Sequence, residues 1–242
     1  MSTLFSEFDF KIYPLSEHAV TLTFGSEIAE PTAAKIARFN FLLEANPFPG
    51  FTGCVAGYTT LSIFYNLLEV TRSELCGDNG FEKVSHYLKS LSDNSKSDGR
   101  NFTPKRIVLP VCYVADYGLD LDEVARNAKL SVDEVIDLHT RQIYKVYMIG
   151  FVPGFAYLGG MHERLATARK LVPRATVAAG SVGIAGKQTG IYPLETPGGW
   201  QIIGQTPLKM FDSGRSQPSL LKAGDEVQFK SVNFEEFKAL EK

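Results

Sequence analysis

The residues best suited to chemistry lie in three stretches of the second half of the chain. The first runs Gly150-Phe151-Val152-Pro153-Gly154-Phe155-Ala156-Tyr157-Leu158-Gly159-Gly160; Pro173-Arg174 follows, and then a run from Ala179 to Pro193 containing Gly180, Gly183, Gly186 and Gly190. Such glycine density argues against helix and permits tight turns and close backbone approach, so main-chain amides can face an anion in a concave nest. Lys187, Gln188 and Thr189 supply side-chain donors beside it, and with Ser181 and Tyr192 they form a candidate polar edge for substrate or ATP. The bland alternative is that the glycines only turn the corners of a small barrel.

Arg174 is the anion-binding candidate, because a guanidinium fork suits phosphate or carboxylate; a surface salt bridge is its ordinary alternative. His139 has a reference pKa near neutrality, and the end of a helix would draw it toward the cationic form, which suits a general base; otherwise it caps the helix. The third stretch, Thr196-Pro197-Gly198-Gly199-Trp200-Gln201-Ile202-Ile203-Gly204-Gln205-Thr206-Pro207, sets the single tryptophan of the chain on a turn, as a pocket wall or partner anchor, or as a barrel plug. Neither nucleotide fingerprint is met: no GxxxxGK[ST] occurs, and no GxGxxG opens a helix after a strand.

The elements that must position these residues fall into two groups. Extended Ala19–Phe24, a helix from Ala33 through Leu43, strands Gly53–Tyr58 and Leu61–Tyr65, and a helix over about Gly80–Leu91 lead to strand Arg106–Leu109, which closes the module. That order is a split βαβ, or ferredoxin-like, α/β sandwich over residues 1–105, with the polar segment Ser92–Asn101 as an exposed loop. Helices Asp120–Ala128 and Ser131–Thr140 follow, the second opened by a capping box of Ser131 and Glu134. Short strands Val146–Ile149, Ala175–Val177, Ser181–Ile184, Gln201–Ile203 and Glu226–Phe229 then predict a compact β-barrel or sandwich over 106–242, an α+β chain as a whole.

Composition narrows the function. Twenty-five Lys and Arg oppose 27 Asp and Glu across 242 residues, so no overall field favours nucleic acid or an anionic membrane. No apolar run approaches the roughly 20 residues of a membrane span and no secretory leader is visible, which predicts a cytoplasmic protein. Cys54, Cys76 and Cys112 are scattered, matching neither a disulfide framework nor a metal site; they are expected to be reduced and structural.

Taken together, Leu109-Pro110-Val111-Cys112-Tyr113, His139, Tyr144, the GFVPGFAYL stretch, Pro173-Arg174, AGSVGIAGKQTGIYP and PGGWQIIGQTP resemble the KipI-like family, over nearly the whole chain. That family includes the B component of 5-oxoprolinase and part of urea amidolyase. The resemblance implies a cyclophilin-like C-terminal β-barrel, a related barrel partner (the C component of 5-oxoprolinase) and a third polypeptide, the A component. It implies ATP-driven opening of the 5-oxoproline lactam to glutamate, with Mg2+ accompanying ATP in the assembled complex. It leaves room for an inhibitor of a sensor histidine kinase or part of a urea/allophanate-type amidohydrolase. Two departures stand out: Ala168-Arg169 where relatives often carry a second Pro-Arg, and Gln205 where they often carry arginine.

Overall fold

The computed structural model describes residues 8–95, 102–114 and 116–241, and the chain divides into two compact units, Met1–Thr103 and Pro104–Lys242. The first unit contains β1 (Lys11–Ser16), β2 (Ala19–Thr23), α1 (Glu30–Ala45), β3 (Phe51–Ala56), β4 (Thr60–Tyr65), α2 (Leu67–Arg72) and α3 (Gly80–Asp93). Its sheet has the order β1-β2-β4-β3 and is antiparallel throughout. Val20 and Leu22 on β2, with Leu61 and Ile63 on β4, alternate inward to meet Ile36, Phe39 and Leu43 of α1 and Val84 and Leu88 of α3. Asn66 and Asn79 start α2 and α3 by accepting main-chain N–H bonds.

Two expectations for this unit are corrected. The strand beside β2 is the N-terminal β1, whereas Arg106–Leu109 belongs to the second unit. Helix α3 continues to Asp93, with Ser92 buried and donating to the Phe8 carbonyl at 3.2 Å, so the polar segment does not begin at 92; residues 96–101 lie outside the described residues.

The second unit contains β5 (Arg106–Cys112), α4 (Leu121–Ala128), α5 (Val132–Arg141), β6 (Tyr144–Ile149), β7 (Ala156–Gly159), β8 (Arg174–Val177), β9 (Ser181–Ala185), β10 (Gln188–Ile191), β11 (Thr196–Gly198), β12 (Gln201–Gln205), β13 (Glu226–Val232) and α6 (Phe234–Leu240). Seven strands close into a barrel in the order β10-β7-β6-β13-β5-β12-β9. Only β5 and β13 run parallel among these pairs, and Glu226 of β13 takes Arg106 of β5 at 2.6 Å and Lys145 of β6, joining three strands at one level. The barrel is filled by aliphatic residues such as Leu109, Val111, Val146, Leu158, Val182 and Ile184, as the alternation of strand side chains requires. Strand β8 lies outside the barrel, forming a two-stranded ribbon with β11. Among the described residues, no helix is long and apolar enough to cross a membrane.

Candidate functional site

Within the second unit a cleft of about 440 Å3 opens between the β8–β11 ribbon and the wall of the barrel. Its floor is aromatic. Phe155 meets Tyr192 edge-on at 5.0 Å and Trp200 at 5.4 Å, and Tyr157 meets Trp200 at 5.8 Å. Each ring edge points its positive rim at a neighbouring face, the favoured arrangement for packed aromatics. Phe151, 63% exposed, stands at the mouth, and the ribbon contributes Thr196, Pro197, Gly198 and Gly199.

The glycines serve this wall. A Cβ at Gly190 would lie 2.9 Å from both the Ala156 carbonyl and Cζ3 of Trp200, and one at Gly198 would lie 2.3 Å from the Tyr192 hydroxyl. The run 181–191 is otherwise a regular hairpin of β9 and β10 turning at Gly186 and Lys187, its backbone in ladder pairing. In these strands glycine makes room for indole and phenol rings. Gly190→Ala is expected to cost about 1–3 kcal/mol by overpacking. Urea denaturation checks this, and wild-type stability would contradict the packing.

A buried charge network backs the cleft. Asp120, at the start of α4, makes no cap bond to its own helix. It accepts instead from Arg174 at 2.6 Å, from Lys170 at 2.8 Å and from the Ile202 N–H at 2.7 Å. Burial by itself would raise the Asp120 pKa, but the bonds from Arg174, Lys170 and Ile202 hold it below the ordinary carboxylate value. Lys170 also reaches Glu123 at 3.0 Å and the Gln201 side-chain oxygen at 3.2 Å, while Gln201 donates to Glu123 and to the Ala168 carbonyl. Arg169 differs: its guanidinium lies over the Trp200 ring at 5.8 Å, and among the described residues no carboxylate pairs with it.

The residues singled out from sequence do not form one site. Tyr192 and Trp200 line the cleft, and Arg174 stands behind it, its charge already met by Asp120. Lys187 is exposed on the hairpin turn, Gln188 begins β10, and Ser181 is buried in β9; none lines the cleft. His139 lies in the interior and not at the cleft. It is fully buried, with Nδ1 against the Tyr113 hydroxyl at 2.8 Å and Nε2 against Thr189 Oγ1 at 3.1 Å, and its ring stacks on Phe229 at 4.4 Å. Burial drives its pKa down to about 3, the opposite of the cationic form expected at a helix end. His139 and Thr189 thus tie α5 to the barrel strands as a neutral strut. Gln205 donates to the Ala179 carbonyl at 2.6 Å and takes no place in the cleft.

Sequence reasoning missed Asp120, Glu123, Lys170 and Gln201 as a network, and noted Arg169 only as a departure. The legible signal was the aromatic density of Phe151, Phe155 and Tyr157 within a strand and turn, which marks a wall. All three cysteines are free, with Cys112 buried. Burial, reinforced by Glu44, pushes the Cys54 thiol up to about 12, an inert state.

A closed barrel with a side cleft, preceded in the chain by an α/β unit, defines a barrel protein of two units. Residues 10–221 match the model of the carboxyltransferase domain, subdomain C and D, and the chain belongs to that family. It is 43% identical to the B component of 5-oxoprolinase from Bacillus subtilis (strain 168) over 232 residues, 95% of this chain and 96% of that protein. The crystal structure of TTHA0988 superposes with a TM-score of 0.74 at 32% identity over 89% of this chain, which spans only 40% of that longer chain. The conserved uncharacterized protein PH0987 from Pyrococcus horikoshii matches 94% of this chain and all of its own, at 40% identity and a TM-score of 0.54. The family resemblance carried by the motifs holds, and the curated relatives are themselves named as parts of 5-oxoprolinase.

Proposed function

We propose that the chain is the B component of an ATP-dependent 5-oxoprolinase, a cytoplasmic enzyme active only when the C and A components are present. The observation that carries this is the similarity to a curated B component along almost the full length of both chains. The same proposal takes the two units to be a ferredoxin-like sandwich and a cyclophilin-like barrel.

The chemistry needs more than one surface. A lactam carbonyl is a weak electrophile. Transfer of the γ-phosphoryl group of ATP to the lactam oxygen releases ADP and leaves a carbon that water can attack; loss of phosphate and cleavage of the C–N bond then give glutamate. Charge spreads over phosphoryl oxygens in such transfers, so preorganised donors and cations do most of the work. Among the described residues this chain offers a single cation free of carboxylate partners at its cleft, and no group of three His, Cys, Asp or Glu is placed to hold a metal ion. In this reading Mg2+ and the ATP phosphates belong to the assembled complex.

The test is complementation. Expressed in a Bacillus subtilis strain lacking its own B component, the chain should restore growth on 5-oxoproline as nitrogen source. A soluble, well-expressed chain that leaves the strain unable to use 5-oxoproline would overturn the assignment.

A further inference from the structure

We propose that the cleft of the second unit is the site for a small cyclic carboxylate, with Arg169 gripping the carboxylate and the Tyr157, Tyr192 and Trp200 wall receiving the ring. The charge count around the cleft leads to this ligand class. Three cations, Arg169, Lys170 and Arg174, stand there with two carboxylates, Asp120 and Glu123. Lys170 and Arg174 are committed to those carboxylates, which leaves one positive charge over, on Arg169. That suits a monoanion. A triphosphate would bring about four negative charges to a site holding one free cation and two carboxylates behind it, and a neutral ligand would leave the guanidinium idle.

The shape supports the same class. The cleft lies within the usual size range of small-molecule sites, roughly 300–1,000 Å3, and a lining rich in aromatic residues suits a compact ring more than a flexible chain. The mouth residue adds a sign of function. Phe151 has φ of 68°, and the Val152 N–H bonds back to the Gly150 carbonyl at 2.8 Å, a strained three-residue turn around a bulky side chain. Such strain costs of order 1–3 kcal/mol and persists where the surroundings impose it, most often at ligand sites. Here it holds an exposed ring at the entrance.

The identity of the ligand as 5-oxoproline rests on the proposed 5-oxoprolinase function; the cleft as a cyclic-carboxylate site does not. The site lies wholly within one chain, so binding is measurable on the full-length protein alone, by titration calorimetry and by the fluorescence of Trp200, the only indole present. L-5-oxoproline is expected to bind and perturb Trp200 emission, and 2-pyrrolidinone, the same lactam without the carboxylate, to bind at least about tenfold more weakly. Arg169→Ala should lower 5-oxoproline affinity about 10- to 100-fold, with Arg169→Lys between it and wild type because the charge returns without the fork. Phe151→Gly, which relieves the turn, should weaken binding without destabilising the protein. Undiminished binding by Arg169→Ala, or tight ATP binding that displaces the carboxylate, would overturn the site. No binding by L-proline, 2-furoate or 5-oxoproline would overturn it as well. Binding of L-proline or 2-furoate without 5-oxoproline would keep the site and count against the 5-oxoprolinase reading.

Discussion

Replacing His139 by glutamine should leave a folded protein whose stability no longer falls steeply in mild acid. In the native protein the imidazole is enclosed, neutral, and held between Tyr113 and Thr189, with burial lowering its pKa to about 3. In the unfolded chain the same group titrates near 6.5. As pH falls from 6.5 toward 3, the unfolded state takes up a proton that the native state refuses, and stability drops by up to about 1.4 kcal/mol per pH unit. The sign is fixed: the contribution is intact above pH 6.5 and is lost on acidification. Glutamine can still bond to both hydroxyls but not stack on Phe229, so the variant is expected to lose about 1–3 kcal/mol at pH 7 and to lack this slope. Urea denaturation at several pH values between 7 and 5 measures both quantities. An identical slope in the two proteins would show that His139 takes up its proton while folded.

The second large effect belongs to Asp120. Its carboxylate is 3% exposed and holds Arg174, Lys170 and the Ile202 N–H together. Asp120→Ala strands Arg174, leaves Lys170 with Glu123 alone as its carboxylate partner and orphans the Ile202 N–H, and breaking a buried pair in this way costs about 3–5 kcal/mol. Thermal unfolding should show it directly, and a loss below about 1 kcal/mol would mean that solvent already screens the network. Because the folded pKa of Asp120 is depressed, its stabilisation is present above the ordinary carboxylate value of 3.8 and disappears as pH falls through the lower folded value. The two acid responses are thus separable, with His139 beginning to act near pH 6.5 and Asp120 only below the usual carboxylate range. Arg174→Ala should destabilise as well, so a loss of activity in that variant needs a stability measurement beside it.

Much of the architecture was legible because it rests on local rules. Alternation along Ala19–Phe24 and Leu61–Tyr65 gave strands, and Ser131 with Glu134 gave the start of α5, where both capping bonds form. Strand β1 was hidden because most of its residues are exposed and Pro14 interrupts it, so no alternation shows; pairing with β2 alone makes it a strand. The barrel placement of Arg106–Leu109 depends on β13, some 120 residues away, which no local pattern reports.

The site was less legible for the same reason. Whether a histidine is a base or a strut depends on what encloses it, and Phe229, Tyr113 and Thr189 arrive from three distant strands or their ends. Arg169 and Arg174 are alike in sequence, yet Asp120 neutralises one and not the other. Asp120 itself looked like a helix start, but its carboxylate turns to a strand end and two cations. Glycine density marks where rings need space, since a Cβ at Gly190 or Gly198 would meet Trp200 or Tyr192, a constraint that no local pattern reports.

The most direct measurement is a leave-one-out reconstitution. The purified chain is combined with the A and C components, ATP, Mg2+ and 5-oxoproline, and glutamate is quantified with each ingredient omitted in turn. Glutamate should form with everything present and fall to background when this chain, either partner or ATP is withheld. Full-rate glutamate formation without this chain, or by this chain alone, would contradict its role as an obligatory but incomplete part of the enzyme.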